Sequence, residues 1–177
     1  MAKKPKIPAF AGSLRKDSYN KRVVKTAIEG AEKAGAEVTY IDLKDYPLPV
    51  YDADDHTENG FSENALKLQK LFAEHDGFLI SSPEYNGSVP GGLKNAIDWA
   101  SRKSENYGMI EVFKGKAAAM KGILHELGAS LVDTMKKCTV ILKSSREPDN
   151  LIEICKNICF VTALLKIKSQ CGHFLLK

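Results

Sequence analysis

The stretch AFAGSLRKDSYNKR, residues 9–22, follows a short apolar segment and leads into a helical pattern. It brings together a glycine, two serines, an arginine and an asparagine: Gly12, Ser13, Arg15, Ser18 and Asn20. A glycine permits a tight turn, and the N–H groups at the start of a helix attract anions. Hydroxyl, amide and guanidinium donors are suited to the oxygens of a phosphate. The stretch therefore predicts an anion site between a strand and a helix.

The spacing of residues 9–22 narrows the kind of anion. It matches neither GxGxxG nor GxxxxGK[ST], so it indicates neither a dinucleotide nor a nucleoside triphosphate. A single terminal phosphate fits better. Taken alone, the stretch also fits an ordinary polar loop in which Ser18 caps the next helix.

Apolar runs and helical periodicities alternate on both sides of this stretch. The patterns predict strands at 7–12, 37–43 and 76–83, helices at 19–34, 62–75 and 90–101, and a long loop at 44–60. Such alternation predicts a parallel, doubly wound sheet. Ligands bind such sheets beyond the carboxyl ends of the strands, where the strand order reverses. This rule points to the loops that follow the first and third strands.

The loop after the third predicted strand has the sequence SSPEYNGSVPGGLKN, residues 81–95. Two prolines and three glycines surround Tyr85 and Asn86, which is typical of a rigid loop that another group approaches closely. Its backbone could face a flat heterocycle, with Tyr85 as an aromatic wall.

Together the two segments resemble the NADPH-dependent FMN reductase family of flavodoxin-like proteins. The family signature G-S-x-R-x-x-S-x-N is matched from Gly12 to Asn20, and P-E-Y-N-G-S-x-P-G-x-L-K-N-x-I-D-W is matched from Pro83 to Trp99. The resemblance implies an α/β fold, a flavodoxin-like three-layer sandwich with a five-stranded parallel sheet in the order 2-1-3-4-5. It also implies that residues 1–177 form a single FMN-binding domain.

The resemblance further implies an FMN-dependent NAD(P)H oxidoreductase. Such an enzyme reduces flavins, quinones or similar small acceptors by hydride transfer through the flavin, so no side chain is expected to be catalytic and no metal is expected. The residues that would bind FMN are Gly12, Ser13, Arg15, Ser18, Tyr19 and Asn20 around the phosphate, and Pro83, Glu84, Tyr85, Asn86 and Gly87 around the ring. Family members associate through the helix that starts near Pro90. A homodimer or homotetramer is therefore expected, with Trp99 either at the interface or in the core of its own chain.

The resemblance covers residues 7–120, and residues 121–177 diverge. It implies that residues 112–120 form the fourth strand and that residues 138–145 can supply the fifth. Relatives have a third flavin-contacting loop after the fourth strand, which is here expected to be absent or reduced to Lys121 and Gly122 before an amphipathic helix. His125 lies where that loop would be and could approach the ring, or could be an ordinary surface histidine.

Two alternative functions stay open: a non-catalytic or weakly active flavin-binding isoform or scaffold, and a flavodoxin-like electron carrier.

Composition bears on partners and location. The net charge is +4, and residues 136–177 hold eight Lys and Arg against three Asp and Glu without interleaved aromatics, so no nucleic-acid partner is expected. The sequence has no apolar run of membrane-spanning length and no signal-peptide core at its start. Four cysteines outside a small secreted framework predict free thiols and a cytoplasmic location.

Two clusters superficially suggest metal ligands. The first contains cysteines and a histidine near the end of the chain: Cys155, Cys159, Cys171 and His173. Its spacing is not that of a zinc site, and cysteines on a helix stripe behave as small apolar residues. The second contains Asp52, Asp54 and Asp55, for which a solvated loop is the expected explanation.

Overall fold

The structure, a computed structural model, describes residues 4–86, 88–123 and 140–142 of the 177-residue chain. The strands are β1 (Lys6–Ala11), β2 (Glu37–Ile41), β3 (Gly77–Pro83), β4 (Ala117–Ile123) and β5 (Val140–Leu142). The helices are α1 (Tyr19–Lys33), α2 (Ala53–Asn59), α3 (Glu63–Ala73) and α4 (Gly91–Ala100), with a short 3₁₀ helix at Leu43–Asp45.

The first four strands form a parallel sheet in the order β2-β1-β3-β4. In this sheet Phe10 of β1 lies beside both Ile41 of β2 and Ile80 of β3, and Ile80 lies beside Met120 of β4. The strand order predicted for this part of the sheet is confirmed.

The predicted fifth parallel strand is not shown. Residues Val140–Leu142 pair with β4 in the antiparallel direction, with Met120 opposite Val140 and Ala118 opposite Leu142. An apolar run favours a strand but carries no information on its direction. Direction depends on the connection, and residues 124–139 lie outside the described part of the chain.

Helices cover both faces of the sheet, which explains the continuous apolar character of its central strands. One face is lined largely by alanines, and α1 packs on it through small residues and one valine: Ala9, Ala11, Leu79, Ala117 and Ala119 meet Val24, Ala27 and Ala31. The other face carries large side chains from the sheet, α3 and α4: Phe10, Phe78 and Ile80 with Leu68, Phe72 and Leu93. The core is thus split into two layers of unequal side-chain size.

The ends of α1 and α3 agree with their sequence signals. Ser18 Oγ accepts a hydrogen bond from the Asn20 N–H at the start of α1, and Gly35 follows the helix with a φ of +94°. Ser62 Oγ accepts a hydrogen bond from the Ala65 N–H at the start of α3. These polar caps satisfy N–H groups that have no partner within the helix.

The long loop predicted at 44–60 is wrong in part, because it contains the 3₁₀ helix and α2. Asp52, expected in a solvated loop, caps α2 by accepting hydrogen bonds from the N–H groups of Asp54 and Asp55. No residue of α2 is buried. Hydrophobic periodicity detects helices through a buried face, so it could not detect this one.

Trp99 packs inside its own chain, which is the second of the two alternatives that the sequence left open for it. Its side chain is only 1% exposed, and its Nε1 donates a hydrogen bond to the Pro49 carbonyl at 2.9 Å. The rings of Tyr51 and Phe61 pack against the indole. Residues 47–61 therefore cover α4.

Asn95 of α4 holds the same segment through two further hydrogen bonds. Its Nδ2 donates to the Pro49 carbonyl at 2.8 Å, and its Oδ1 accepts from the Tyr51 N–H at 2.9 Å.

Within the ranges that the structure describes, no helix has the length and apolar character needed to cross a membrane.

Candidate functional site

The two segments singled out in the sequence meet at the carboxyl edge of the sheet. β1 and β3 are parallel neighbours, so the loops after them leave at the same end. The Gly12 N–H donates to the Ser81 carbonyl at 2.8 Å, and Ser81 Oγ donates to Asn20 Oδ1 at 2.8 Å. The β1–α1 loop is thus fastened directly to β3.

Gly12 is required by this close approach. A Cβ atom added here would lie 2.7 Å from Leu93 Cδ2 and 2.8 Å from Ser82 Oγ. Its φ is outside the left-handed region, so proximity rather than a special turn excludes a side chain. The glycine lets β1, β3 and α4 converge beneath the two loops.

Buried hydroxyl groups shape the β1–α1 loop from within. Ser13 and Ser18 are 3% and 6% exposed. Ser13 Oγ accepts a hydrogen bond from the Arg15 N–H at 3.4 Å, and Ser18 Oγ accepts one from the Asn20 N–H at 3.2 Å. These bonds order the loop and leave the hydroxyl protons available to an acceptor.

The loop also keeps donors unused. Among the described residues, none accepts a hydrogen bond from the backbone N–H groups of Ser13, Leu14 and Lys16. Asn20 Oδ1 accepts the hydrogen bond from Ser81, and no acceptor among the described residues bonds to Asn20 Nδ2. Arg15 and Tyr19 are exposed, and the Arg15 guanidinium pairs with no described carboxylate. A set of N–H, O–H and guanidinium donors fits a phosphate, which offers only acceptors.

The loop after β3 forms a tight turn. The Tyr85 N–H donates a hydrogen bond to the Ser88 carbonyl at 2.8 Å, and the Ser88 N–H donates one to the Tyr85 carbonyl at 3.0 Å. Asn86 has a φ of +53°, a left-handed conformation that asparagine tolerates better than most residues. Pro83 ends β3, Glu84 is half-buried, and Tyr85 is 48% exposed. The turn presents an aromatic ring and backbone groups, which suits a flat heterocycle.

Of the two alternatives for the third flavin-contacting loop, the one that reduces it to Lys121 and Gly122 is wrong, because β4 runs through both residues to Ile123. They pair with Ser81 and Ser82 of β3. Outside the described residues lie Gly87, His125 and the amphipathic helix expected after Gly122. The same holds for the cysteines and histidine weighed as zinc ligands: Cys155, Cys159, Cys171 and His173.

Lys21, which the sequence reasoning missed, adds a buried cation behind the loop. It is 8% exposed, and its Nζ lies 2.5 Å from Asp42 Oδ2 at the end of β2. Partial burial alone would raise the pKa of Asp42. The hydrogen bonds from Lys21 and the Lys44 N–H, with both lysine charges, outweigh burial and hold that pKa below its usual value. A lysine next to the signature on the buried face of α1 was the available signal.

Comparison with known proteins agrees with this arrangement. The family model described as NADPH-dependent FMN reductase matches residues 5–143. A potato NAD(P)H:quinone oxidoreductase is 40% identical over 124 residues, covering 68% of this chain and 60% of the relative. A quinone reductase of Escherichia coli K12 is 46% identical over 103 residues, covering 58% of this chain and 53% of the relative. The chain therefore matches little more than half the length of these relatives.

A solved structure supports the same fold. The flavoenzyme NAD(P)H:(acceptor) oxidoreductase FerB from Paracoccus denitrificans superposes with a TM-score of 0.54 at 37% identity, covering 67% of this chain and 60% of that one. The four parallel strands in the order 2-1-3-4 are those of a flavodoxin-like α/β fold. With its loops joined at the β1/β3 edge and the family model matched over most of its length, the chain belongs to the NADPH-dependent FMN reductase family.

Proposed function

We propose that this protein is an FMN-dependent NAD(P)H oxidoreductase that reduces quinones, flavins or similar small electron acceptors. The observation that carries the proposal is the donor-rich β1–α1 loop fastened to β3 beside the Tyr85 turn. This juxtaposition offers a phosphate site and a ring site at the edge where such folds bind ligands. When bound, FMN supplies the redox chemistry, accepting a hydride from NAD(P)H and passing electrons to the acceptor.

The residues of this chain bind and orient the cofactor. Around the phosphate we place the residues of the first signature and its neighbour: Gly12, Ser13, Arg15, Ser18, Tyr19 and Asn20. Around the ring we place Pro83, Glu84, Tyr85, Asn86 and Gly87. We assign no catalytic side chain, because positioning and exclusion of water are the contributions such a site can make. The half-exposed Tyr85 ring is suited to both.

We further propose that residues 1–177 act as one domain, in a cytoplasmic homodimer or homotetramer. The relatives' names support a small-molecule acceptor. Because Trp99 is occupied by its own chain, association would use other parts of α4 or its surroundings. A flavodoxin-like carrier is less well supported, since residues 1–135 have nearly balanced charges rather than the acidic surface that docks redox partners.

The test is anaerobic spectroscopy on the purified full chain. FMN should bind with loss of its free fluorescence, NADPH or NADH should bleach the flavin absorbance, and a quinone should restore it. If flavin binds but is never reduced, the protein is the flavin-binding scaffold and not an enzyme. Free FMN fluorescence that persists at micromolar protein would contradict the whole proposal.

Arg15→Ala provides a first prediction for the phosphate loop. Removing a charge-assisted contact costs about 1.5–3 kcal/mol, so FMN should bind roughly 10- to 100-fold more weakly by fluorescence titration. Arg15→Lys should recover part of the loss, since it keeps the charge but not the two-pronged geometry.

Lys33→Ala is the matched control, because Lys33 is exposed in the last turn of α1, away from the loop. Its FMN affinity should equal that of the unaltered chain, and all three variants should unfold at similar urea concentrations. An Arg15→Ala protein that binds FMN normally would remove Arg15 from the phosphate site.

A further inference from the structure

A second concave surface lies on the other side of the β1–α1 loop, next to β2 instead of β3. This groove has a volume of about 720 Å³. Its lining comes from the loop, the first turns of α1 and the end of β2: Arg15, Lys16, Asp17, Ser18, Tyr19, Lys21, Arg22, Lys25, Tyr40, Asp42 and Asp45. Three of these, Arg15, Ser18 and Tyr19, also belong to the proposed phosphate site. The groove is therefore continuous with that site.

The groove has a positive balance of charge. Five basic and three acidic side chains line it. The buried pair of Lys21 and Asp42 neutralises itself, with side chains 10% and 22% exposed. The remaining cations, on Arg15, Lys16, Arg22 and Lys25, are all exposed and outnumber the remaining acids, Asp17 and Asp45. Cations that converge on one concave surface favour an anionic ligand.

Two aromatic rings stand among these cations. The Lys25 Nζ lies 5.2 Å from the centroid of the Tyr40 ring, and the Arg22 guanidinium lies 5.9 Å from that of Tyr19. Tyr19 is 69% exposed and Tyr40 is 37% exposed. Partial burial and the negative charge of Asp42 raise the pKa of Tyr40, so its phenol stays protonated at neutral pH and can donate a hydrogen bond. Cations for a phosphate beside flat rings for a base are the recognition elements of a nucleotide.

We propose that this groove is a second nucleotide subsite, which binds the adenosine phosphate half of a dinucleotide. Its volume lies within the range of small-molecule sites, roughly 300–1,000 Å³. The proposal rests on the proposed function for its biological source, which would be the hydride donor or an adenylated flavin. Both carry the same recognised chemistry, an adenosine bearing a phosphate.

The experiment is isothermal titration of the full chain, without flavin, with 2′-AMP, 5′-AMP, adenosine and inorganic phosphate. Both nucleotides should bind more tightly than adenosine or phosphate alone, by about tenfold. Tighter binding of 2′-AMP identifies a phosphorylated hydride donor as the source. Tighter binding of 5′-AMP identifies an unphosphorylated donor or an adenylated flavin, which a comparison of NADH with FAD then separates. Phosphate that binds as well as the nucleotides would reduce the groove to a plain anion site and overturn the proposal.

Paired variants tie the binding to the groove. The double variant Arg22→Gln with Lys25→Gln should bind the nucleotides at least tenfold more weakly. Lys33→Gln, an exposed lysine of the same helix outside the groove, should bind within twofold of the unaltered chain. A double variant that binds nucleotides normally would overturn the proposal.

FMN binding, measured on the same samples, separates this proposal from the function it rests on. Arg22 and Lys25 are not among the residues proposed to hold FMN, so FMN affinity should be unchanged in the double variant. FMN binding without nucleotide binding would leave the proposed function intact and overturn the nucleotide subsite. Nucleotide binding without FMN binding would support the subsite and overturn the proposed function.

Discussion

At the scale of single residues, Gly12 links the signature to the fold. The residue precedes the proposed phosphate donors, but its observed role is to let β1 pass within contact distance of β3 and α4. A residue of the signature can therefore serve packing, although it lies next to residues proposed to bind FMN. The sequence identified the position, and only the structure showed which neighbours exclude a side chain.

Gly12→Ala should destabilise the fold. Its Cβ would overlap Leu93 Cδ2 and Ser82 Oγ, and overpacking of this kind costs about 1–3 kcal/mol. Urea unfolding measures the change. Gly30→Ala is the control, because a Cβ at Gly30 meets nothing within 4 Å and alanine is preferred inside a helix by about 0.5–1 kcal/mol. If both variants lose stability equally, the close approach at Gly12 does not matter.

The predictability of the site differs from residue to residue. Ser18 could be predicted twice over, as a helix cap and as part of the signature, and it is observed as a cap. The sequence predicts Asn20 simply as a phosphate donor, whereas its Oδ1 accepts a hydrogen bond from Ser81 of β3. Sequence spacing indicates which residues belong to a candidate site. It does not indicate how a bifunctional amide divides its two ends between ligand and protein.

At the scale of elements, the Lys21–Asp42 pair joins the start of α1 to the end of β2. Two elements that border the groove are thereby held by one ion pair. Lys21 lies on the buried face of α1, but no sequence pattern names Asp42 as its partner, so the pair could be found only in the structure. The exposed α2 escaped prediction for a related reason, since it has no buried face to leave a pattern.

Asp42→Asn should lower stability by about 1–3 kcal/mol at neutral pH, because it leaves the largely buried Lys21 charge unpaired. Asparagine can still cap the 3₁₀ helix that follows. The pKa of Asp42 is lower in the folded chain than in the unfolded one. The carboxylate therefore stabilises the fold above its unfolded pKa, ~3.9, and the contribution is lost as pH falls through the lower, folded value.

The deficit of Asp42→Asn should accordingly shrink as the solution is acidified, as followed by urea unfolding at several pH values. Asp45→Asn serves as the control on the same 3₁₀ helix, where an exposed carboxylate should change stability by no more than about 0.5 kcal/mol. A deficit that stays constant into strong acid would mean that the lost charge is not its cause.

At the scale of the whole molecule, the parallel direction of the first four strands could be predicted from the alternation of strands and helices, whereas their order followed from the family resemblance. Parallel neighbouring strands are usually joined by a crossover helix, and the helical pattern between two predicted strands therefore predicts that they are parallel. The last strand lacked this information, because an apolar run alone is compatible with either direction. The antiparallel pairing of β5 on β4 therefore could not be predicted.

Ligand linkage provides a prediction for the whole molecule. FMN at 100 times its Kd should stabilise the chain by about 2.7 kcal/mol, which raises Tm by roughly 5–10 °C for a domain of this size. Riboflavin has the same ring without the phosphate, so at equal concentration it should raise Tm far less. Equal shifts from the two ligands, read by differential scanning fluorimetry, would show that the phosphate loop contributes no affinity.

Trp99 is the sole tryptophan of the chain, and it lies beneath residues 47–61 with its indole N–H bonded to Pro49. The protein therefore carries an intrinsic optical probe at one known location. Its emission wavelength reports whether that covering segment is seated on α4. Release of the segment would shift the emission to the red as water reaches the indole, even while the sheet keeps its circular dichroism. Local opening of this region can thus be told apart from global unfolding in the unmodified molecule, without any added label.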